Sequence, residues 1–221
     1  MFAAWGIGAQ ASTVFSAPTI SFTDLDSSFN GAPVYEENGF AFDPTSFQAG
    51  NCSPYATSND PCIKEVQQTG TVTTMTSLNP GELFTLTSFY FDLQGTGGQN
   101  PINQLILSSD KTTAATQLVF QVGQLAPSDA QLYDNYSYSG GVLSGDAYNG
   151  TIGNNDSYFA VLSSPLFQDV EYVTWSTYQA QNLRIDDISV AGLAPVPVPA
   201  AGWLLVSALG GIGLMRRRRK S

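Results

Sequence analysis

The chain of 221 residues carries eight cations, 18 carboxylates and no histidine, a net charge of −10. Five of the cations occupy residues 216–220, so Lys64, Lys111 and Arg184 stand against all 18 carboxylates and the rest of the chain carries −15. Such a surface repels nucleic acid and anionic lipid, and the missing histidine removes Ser-His-Asp, Cys-His and His-ligated zinc chemistry together.

At the start, residues 1–8 are apolar and Ala9-Gln10-Ala11 has the small-x-small form of a cleavage site. Residues 1–11 therefore read as the remnant of a signal peptide, with Ser12 opening the mature domain and the basic n-region missing. The alternative is a buried first strand that happens to carry alanines. Residues 12–194 form one domain of about 185 residues, long enough for a sizeable core.

Within that domain the apolar segments have strand length rather than helix length. Residues 19–23, 39–42, 71–76, 83–93, 104–107, 117–122, 157–162, 171–176 and 182–190 are rich in Thr, Val, Ile, Tyr or Phe and are separated by Gly, Asn, Asp, Ser and Pro. No window before the tail keeps a 3.6-residue period for three turns. Nine or ten short strands of this kind predict an all-β antiparallel sandwich of jelly-roll type.

Two of these segments change face partway. In residues 83–93, Phe84 and Leu86 have one parity and Phe89, Phe91 and Leu93 the other, which predicts a bulge near Thr87-Ser88 or a strand buried on both sides. In residues 182–190, Leu183 and Ile185 share a face while Ile188 and Val190 take the other, with Asp186-Asp187 at the switch. A bulge there would turn one of the two carboxylates inward.

Cys52 and Cys62 bracket a turn-rich stretch and predict a local disulfide in an exported protein, with two free thiols as the alternative. Long connections are predicted at residues 94–101 and 126–155. The second holds Tyr133, Tyr136, Tyr138 and Tyr148, residues suited to stacking on carbohydrate or, alternatively, to capping the sandwich edge.

The tail, residues 195–221, has three parts in order: Val196-Pro197-Val198-Pro199-Ala200, an uncharged segment through Met215, and Arg216-Arg217-Arg218-Arg219-Lys220. Residues 200–215 as a helix would span about 24 Å at ~1.5 Å per residue, just short of the ~30 Å hydrocarbon core. The basic cluster would stay on the cytoplasmic side as a stop-transfer signal. The arrangement resembles the VPxPA variety of the PEP-CTERM sorting signal of Gram-negative bacteria. That resemblance implies recognition by an integral-membrane exosortase, cleavage near the proline motif and delivery to the cell surface. An ordinary membrane anchor is the alternative, and in both cases a single transmembrane helix is expected.

A second resemblance is carried by Ile20-Ser21-Phe22-Thr23-Asp24-Leu25, Tyr35-Glu36-Glu37-Asn38-Gly39-Phe40 and Arg184-Ile185-Asp186-Asp187-Ile188-Ser189-Val190. These are similar to the opening and closing segments of jelly-roll domains found ahead of PEP-CTERM tails, and the last to terminal strands of galactose-binding-like sandwiches. The resemblance implies pairing of the first and last strands and a structural calcium held by Asp187 with Asp24 or Asp26. The alternative has Asp187 accepting backbone N–H bonds and Asp186 pairing with Arg184 in solvent.

Three functions follow as expectations. The first is an exported, non-catalytic surface or matrix protein that meets the secretion machinery, an exosortase-type protease and exopolysaccharide. The second is a carbohydrate-binding, lectin-like adhesin using the loop tyrosines and calcium. The third is a glycoside hydrolase, which needs two carboxylates in one cleft. Glu36, Glu37, Glu65, Glu82 and Glu171 are the glutamates available, and the adjacent pair Glu36-Glu37 would point to opposite faces of a strand.

Overall fold

The computed structural model describes residues 13–15, 19–26, 28–29, 34–43, 47–51, 61–65, 72–94, 103–139, 142–178 and 182–192. These fold into two antiparallel sheets. The smaller, of six strands, contains β2 (Tyr35–Glu37), β3 (Phe40–Phe42), β6 (Val72–Ser77), β8 (Gln104–Ser109), β9 (Leu118–Gln121) and β13 (Tyr172–Tyr178). The larger, of eight, contains β1 (Thr13–Phe15), β4 (Phe47–Asn51), β5 (Pro61–Glu65), β7 (Thr85–Gln94), β10 (Ala130–Ser139), β11 (Val142–Tyr148), β12 (Ser157–Leu162) and β14 (Asn182–Ala191). Their spatial orders are β2-β3-β6-β13-β8-β9 and β1-β11-β10-β12-β7-β14-β5-β4. Among the described residues no helix is long and apolar enough to cross a membrane; the tail, with its proline motif and basic cluster, lies outside them.

Strict alternation builds the smaller sheet. Thr73 and Met75 of β6, Val173 and Trp175 of β13, and Leu105 and Leu107 of β8 turn inward and are fully buried. Opposite them, β7 contributes Phe89 and Phe91. Edge-on packing joins the layers: Phe89 meets Trp175 at 6.2 Å and Phe120 at 6.1 Å between ring centroids, and Phe40 meets Phe84 at 5.2 Å. Each buried aromatic ring of this kind stabilises by roughly 1.5–3 kcal/mol relative to its exposed state.

The two face switches are resolved by bulges. In β14 the pairing steps from Asp186↔Tyr90 to Ser189↔Ser88, so β14 has one residue more than β7. The next step, from Ser189↔Ser88 to Val190↔Leu86, gives the extra residue to β7, at Thr87. The two irregularities offset each other and the ladder resumes in its original register. Because of them, Phe84, Leu86, Phe89, Phe91 and Leu93 all join one core, as do Leu183, Ile185 and Ile188. The predicted double-sided burial also holds: Tyr90 faces away from that core and packs with Cys62 and Phe159 in a second cluster.

Residues 19–23 do not form the predicted strand. Ile20 makes one antiparallel bridge to Ile188, and the chain then turns at Phe22, whose φ of 55° is the left-handed conformation that bulky residues avoid. Glu37 holds the turn: its carboxylate accepts from Ser21 N at 3.1 Å, Phe22 N at 2.9 Å and the Tyr35 hydroxyl at 2.8 Å. The expected contact between the opening and closing segments is therefore present, as a bridge rather than a ladder.

Residues 126–155 are not one long connection. They contain the β10–β11 hairpin, packed through β12 onto β7. Its polar composition hid it, because Asp134, Asn135 and Ser137 interrupt the alternation where β10 itself bulges between Asp134 and Ser137. Gly145 permits the pairing; a Cβ there would lie 3.1 Å from Tyr136 Cβ and 3.2 Å from Tyr133 Cβ. Residues 95–101 of the other predicted connection, 94–101, lie outside the described set.

Candidate functional site

The bulge of β10 and the turn before β12 enclose a cleft of about 260 Å3. Tyr136 and Tyr148 line it, with Tyr158, 2 % exposed, buried beside Tyr148, and Asp134, Asn135, Asn155, Asp156 and Ser157 form its polar rim. Two of the rim residues have left-handed backbone, Asn135 at φ 46° and Asn155 at φ 64°, a conformation asparagine tolerates better than other branched or bulky residues. Asn155 is pinned by its N–H, which donates to Leu93 O at 3.0 Å.

Each tyrosine is fixed from behind. Tyr148 and Tyr158 lie 5.0 Å apart between ring centroids. The Tyr148 hydroxyl donates to Thr151 O at 2.7 Å, and the Tyr158 hydroxyl accepts from Gly153 N at 2.9 Å. Tyr136 packs edge-on against Tyr90 at 5.7 Å and tilted against Phe159 at 6.4 Å. The Tyr90 and Tyr136 hydroxyls are buried within reach of each other and of Ser157. Burial raises the pKa of Tyr136 and Tyr158, and burial with the charge of Asp92 that of Tyr90, so all three remain neutral hydroxyls. Asp134 is raised too, first by desolvation and then by Asp146, which lies directly across from it on β11.

Tyr136 and Tyr148 of the predicted tyrosine set thus meet in one cleft, on a sheet and not on free loops. Tyr133 instead packs beside Tyr90 and Phe159, and the side chain of Tyr138 lies outside the described residues. Tyr158, Asn155 and Asp156 were not predicted for this role. Tyr158 falls in the predicted strand 157–162 and Asn155 in the predicted connection, and nothing local shows that the turn at Asn154-Asn155 faces the β10 bulge.

The carboxylates of the predicted calcium site are distributed differently. Asp24 and Asp26 are exposed, and Asp26 accepts from Ser28 N and Oγ, both at 2.8 Å. Asp187 is buried in the bulge at φ 46°. Among the described residues no three carboxylate or cysteine groups converge to hold a metal. The bulge turns both aspartates inward, Asp186 at 1 % exposure and Asp187 at 3 %. The non-metal alternative is corrected on both counts: Asp186, not Asp187, takes the bulge bond, its Oδ1 accepting from Asp187 N at 2.8 Å, and Arg184 pairs with Asp92 at 3.6 Å. Alternating strand geometry explains the latter, since Arg184 and Asp92 are register partners across β14 and β7.

A second cleft, also about 260 Å3, brings Glu82 and Glu171 together beside Tyr172. Glu82 accepts from Ser77 Oγ at 2.7 Å and Asn79 Nδ2 at 2.8 Å, bonds that hold its carboxyl below the ordinary range. That is opposite to the raised acid with which a glycosidase protonates its leaving group. Cys62 is buried and is not a free thiol; Cys52 lies outside the described residues, as do residues 1–11.

No protein-family model matches the chain, and no curated protein matches it. Solved structures with similarity include a mutant of the family 29 carbohydrate-binding module CBM29-2, at 8% identity over 82% of this chain and 93% of that one, with a TM-score of 0.34. The CBM22-1–GH10 modules of Clostridium thermocellum endo-1,4-β-D-xylanase 10B, complexed with xylohexaose, are similar at 9% identity over 84% of this chain and 31% of that one, TM-score 0.34. An exo-β-agarase is similar at 13% identity over 81% and 25%, TM-score 0.36. Overlap at this level is too loose to carry a function from any of them to this chain.

Proposed function

We propose that the chain is an exported, non-catalytic protein of the cell surface or extracellular matrix that binds carbohydrate in the cleft of Tyr136, Tyr148 and Tyr158. One observation carries the reading: tyrosines and short Asp, Asn and Ser side chains from three separate segments converge on one concave surface. Apolar ring faces accept the C–H side of a sugar while fixed carboxylate and amide groups take its hydroxyls. Export and sorting are proposed from residues 195–221, whose proline motif, apolar segment and basic cluster suit an exosortase-type protease. A Cys52–Cys62 disulfide belongs to the same proposal, since an exported domain meets oxidising conditions.

A glycan array probed with the full chain tests the cleft. Reproducible binding is expected, weakened about tenfold by Tyr148→Ala, since one aromatic contact with its buried area is worth roughly 1.4 kcal/mol. Tyr148 is the informative position because it is half-buried, whereas Tyr136→Ala would also open the packing onto Tyr90 and Phe159. A blank array refutes the cleft. Release of reducing ends from a bound polysaccharide, abolished by Asp134→Asn, would replace the non-catalytic reading with a hydrolase.

A further inference from the structure

The outer face of the six-stranded sheet differs chemically from the rest of this acidic molecule. Alternation turns Thr74 and Thr76 of β6, Thr174 and Ser176 of β13, and Ser108 of β8 outward, and Thr74, Thr174 and Ser108 line up as one cross-strand row. A neighbouring row runs Tyr172, Thr76, Ala41, Glu36 across β13, β6, β3 and β2. Glu36 is the one charged residue among the outward positions of these strands, although the domain carries −15.

This face is grooved. The cleft beside Tyr172 and a second depression of about 310 Å3, lined by Val34, Ala41, Thr74 and Thr76, share Thr76 as a common wall. The two lie side by side across β13, β6 and β3, and together are termed the trough. Tyr172 stands at one end, 37 % exposed, and carboxylates occur at the margins: Glu82 and Glu171 at that end, Asp43 at the other.

We infer that this trough is a second binding site, for a neutral polysaccharide chain lying across the strands and stacking on Tyr172. Charge decides the class of ligand. The marginal carboxylates accept hydrogen bonds from sugar hydroxyls but repel a polyanion, and the trough floor offers no cation to reverse that. A protein partner would call for an apolar centre with arginine or several aromatic anchors; here Thr74, Thr76 and Ala41 form the floor, Val34 stands at one edge and Tyr172 is the exposed ring. The open ends suit a polymer better than a small molecule, which prefers an enclosed pocket of roughly 300–1,000 Å3. The inference shares with the cleft only the view that this protein meets glycans.

Affinity electrophoresis of the full chain tests it, in gels containing hydroxyethyl cellulose, soluble β-1,3-glucan, galactomannan or agarose, with alginate as the acidic polymer. Retardation by at least one neutral polymer and none by alginate is expected. Tyr172→Ala should weaken it about tenfold. Tyr178→Ala is the control: the same residue type on the same strand, 41 % exposed, outside the trough. Unchanged retardation of Tyr172→Ala, equal retardation by alginate, or none by any neutral polymer overturns the trough. Loss of retardation in Tyr148→Ala alone also overturns it and leaves the cleft standing. A blank oligosaccharide array beside Tyr172-dependent retardation removes the cleft and supports the trough.

Discussion

Replacing Glu37 by alanine tests how the opening segment is held. Its carboxylate carries bonds from Ser21 N at 3.1 Å, Phe22 N at 2.9 Å and the Tyr35 hydroxyl at 2.8 Å. Hydrogen bonds to a charged group contribute about 1.5–3 kcal/mol each, and partial exposure places these three at the low end, about 4.5 kcal/mol together. Against that loss, release of the left-handed Phe22 returns roughly 1 kcal/mol of backbone strain. The net expectation for Glu37→Ala is a destabilisation of about 3.5 kcal/mol. In a domain of this length that lowers the melting temperature by about 7–14 °C. Urea denaturation measures the free energy, and hydrogen exchange locates it: the Ser21 and Phe22 amides should lose protection first, while Trp175 and its neighbours on β13 keep theirs. A variant within about 0.5 kcal/mol of the parent, the scatter of ordinary surface substitutions, or one with unchanged exchange at Phe22, would refute the reasoning.

Asp146→Asn should stabilise the domain by roughly 0.2–1 kcal/mol at neutral pH, because Asp134 and Asp146 are like charges in direct cross-strand register. The sign of the pH dependence follows from the raised pKa of Asp134. Its ionised form is disfavoured in the fold, so the penalty is present above the folded pKa and is relieved as pH falls through it. Melting curves of parent and variant should accordingly converge as the medium is acidified through the carboxylate range; a gap that stays constant contradicts the pair's role. Excess chelator tests the calcium site of Asp187 with Asp24 or Asp26: a clear fall in melting temperature is expected if calcium is structural, and an unchanged melting curve removes the site.

The legible part of the fold was the part governed by local alternation. Residues 157–162 coincide with β12, and the parity switches at Thr87-Ser88 and Asp186-Asp187 marked the two bulges, since a side chain's face depends only on counting residues along an extended chain. The β10–β11 hairpin was missed because its polar residues break that count, and its tyrosines gain their apolar surroundings from Tyr90 and Phe159, far away in the chain.

Composition alone excluded histidine chemistry and set the expectation of a surface that repels nucleic acid, because charge and residue type need no coordinates. The tertiary structure decided which groups meet. Tyr148 faces Tyr158, Asp134 faces Asp146, and Tyr172 opens onto Thr76 through strand order and register. Those are set by long-range pairing between segments that the sequence leaves independent, and so binding surfaces, unlike strands, emerge only on folding.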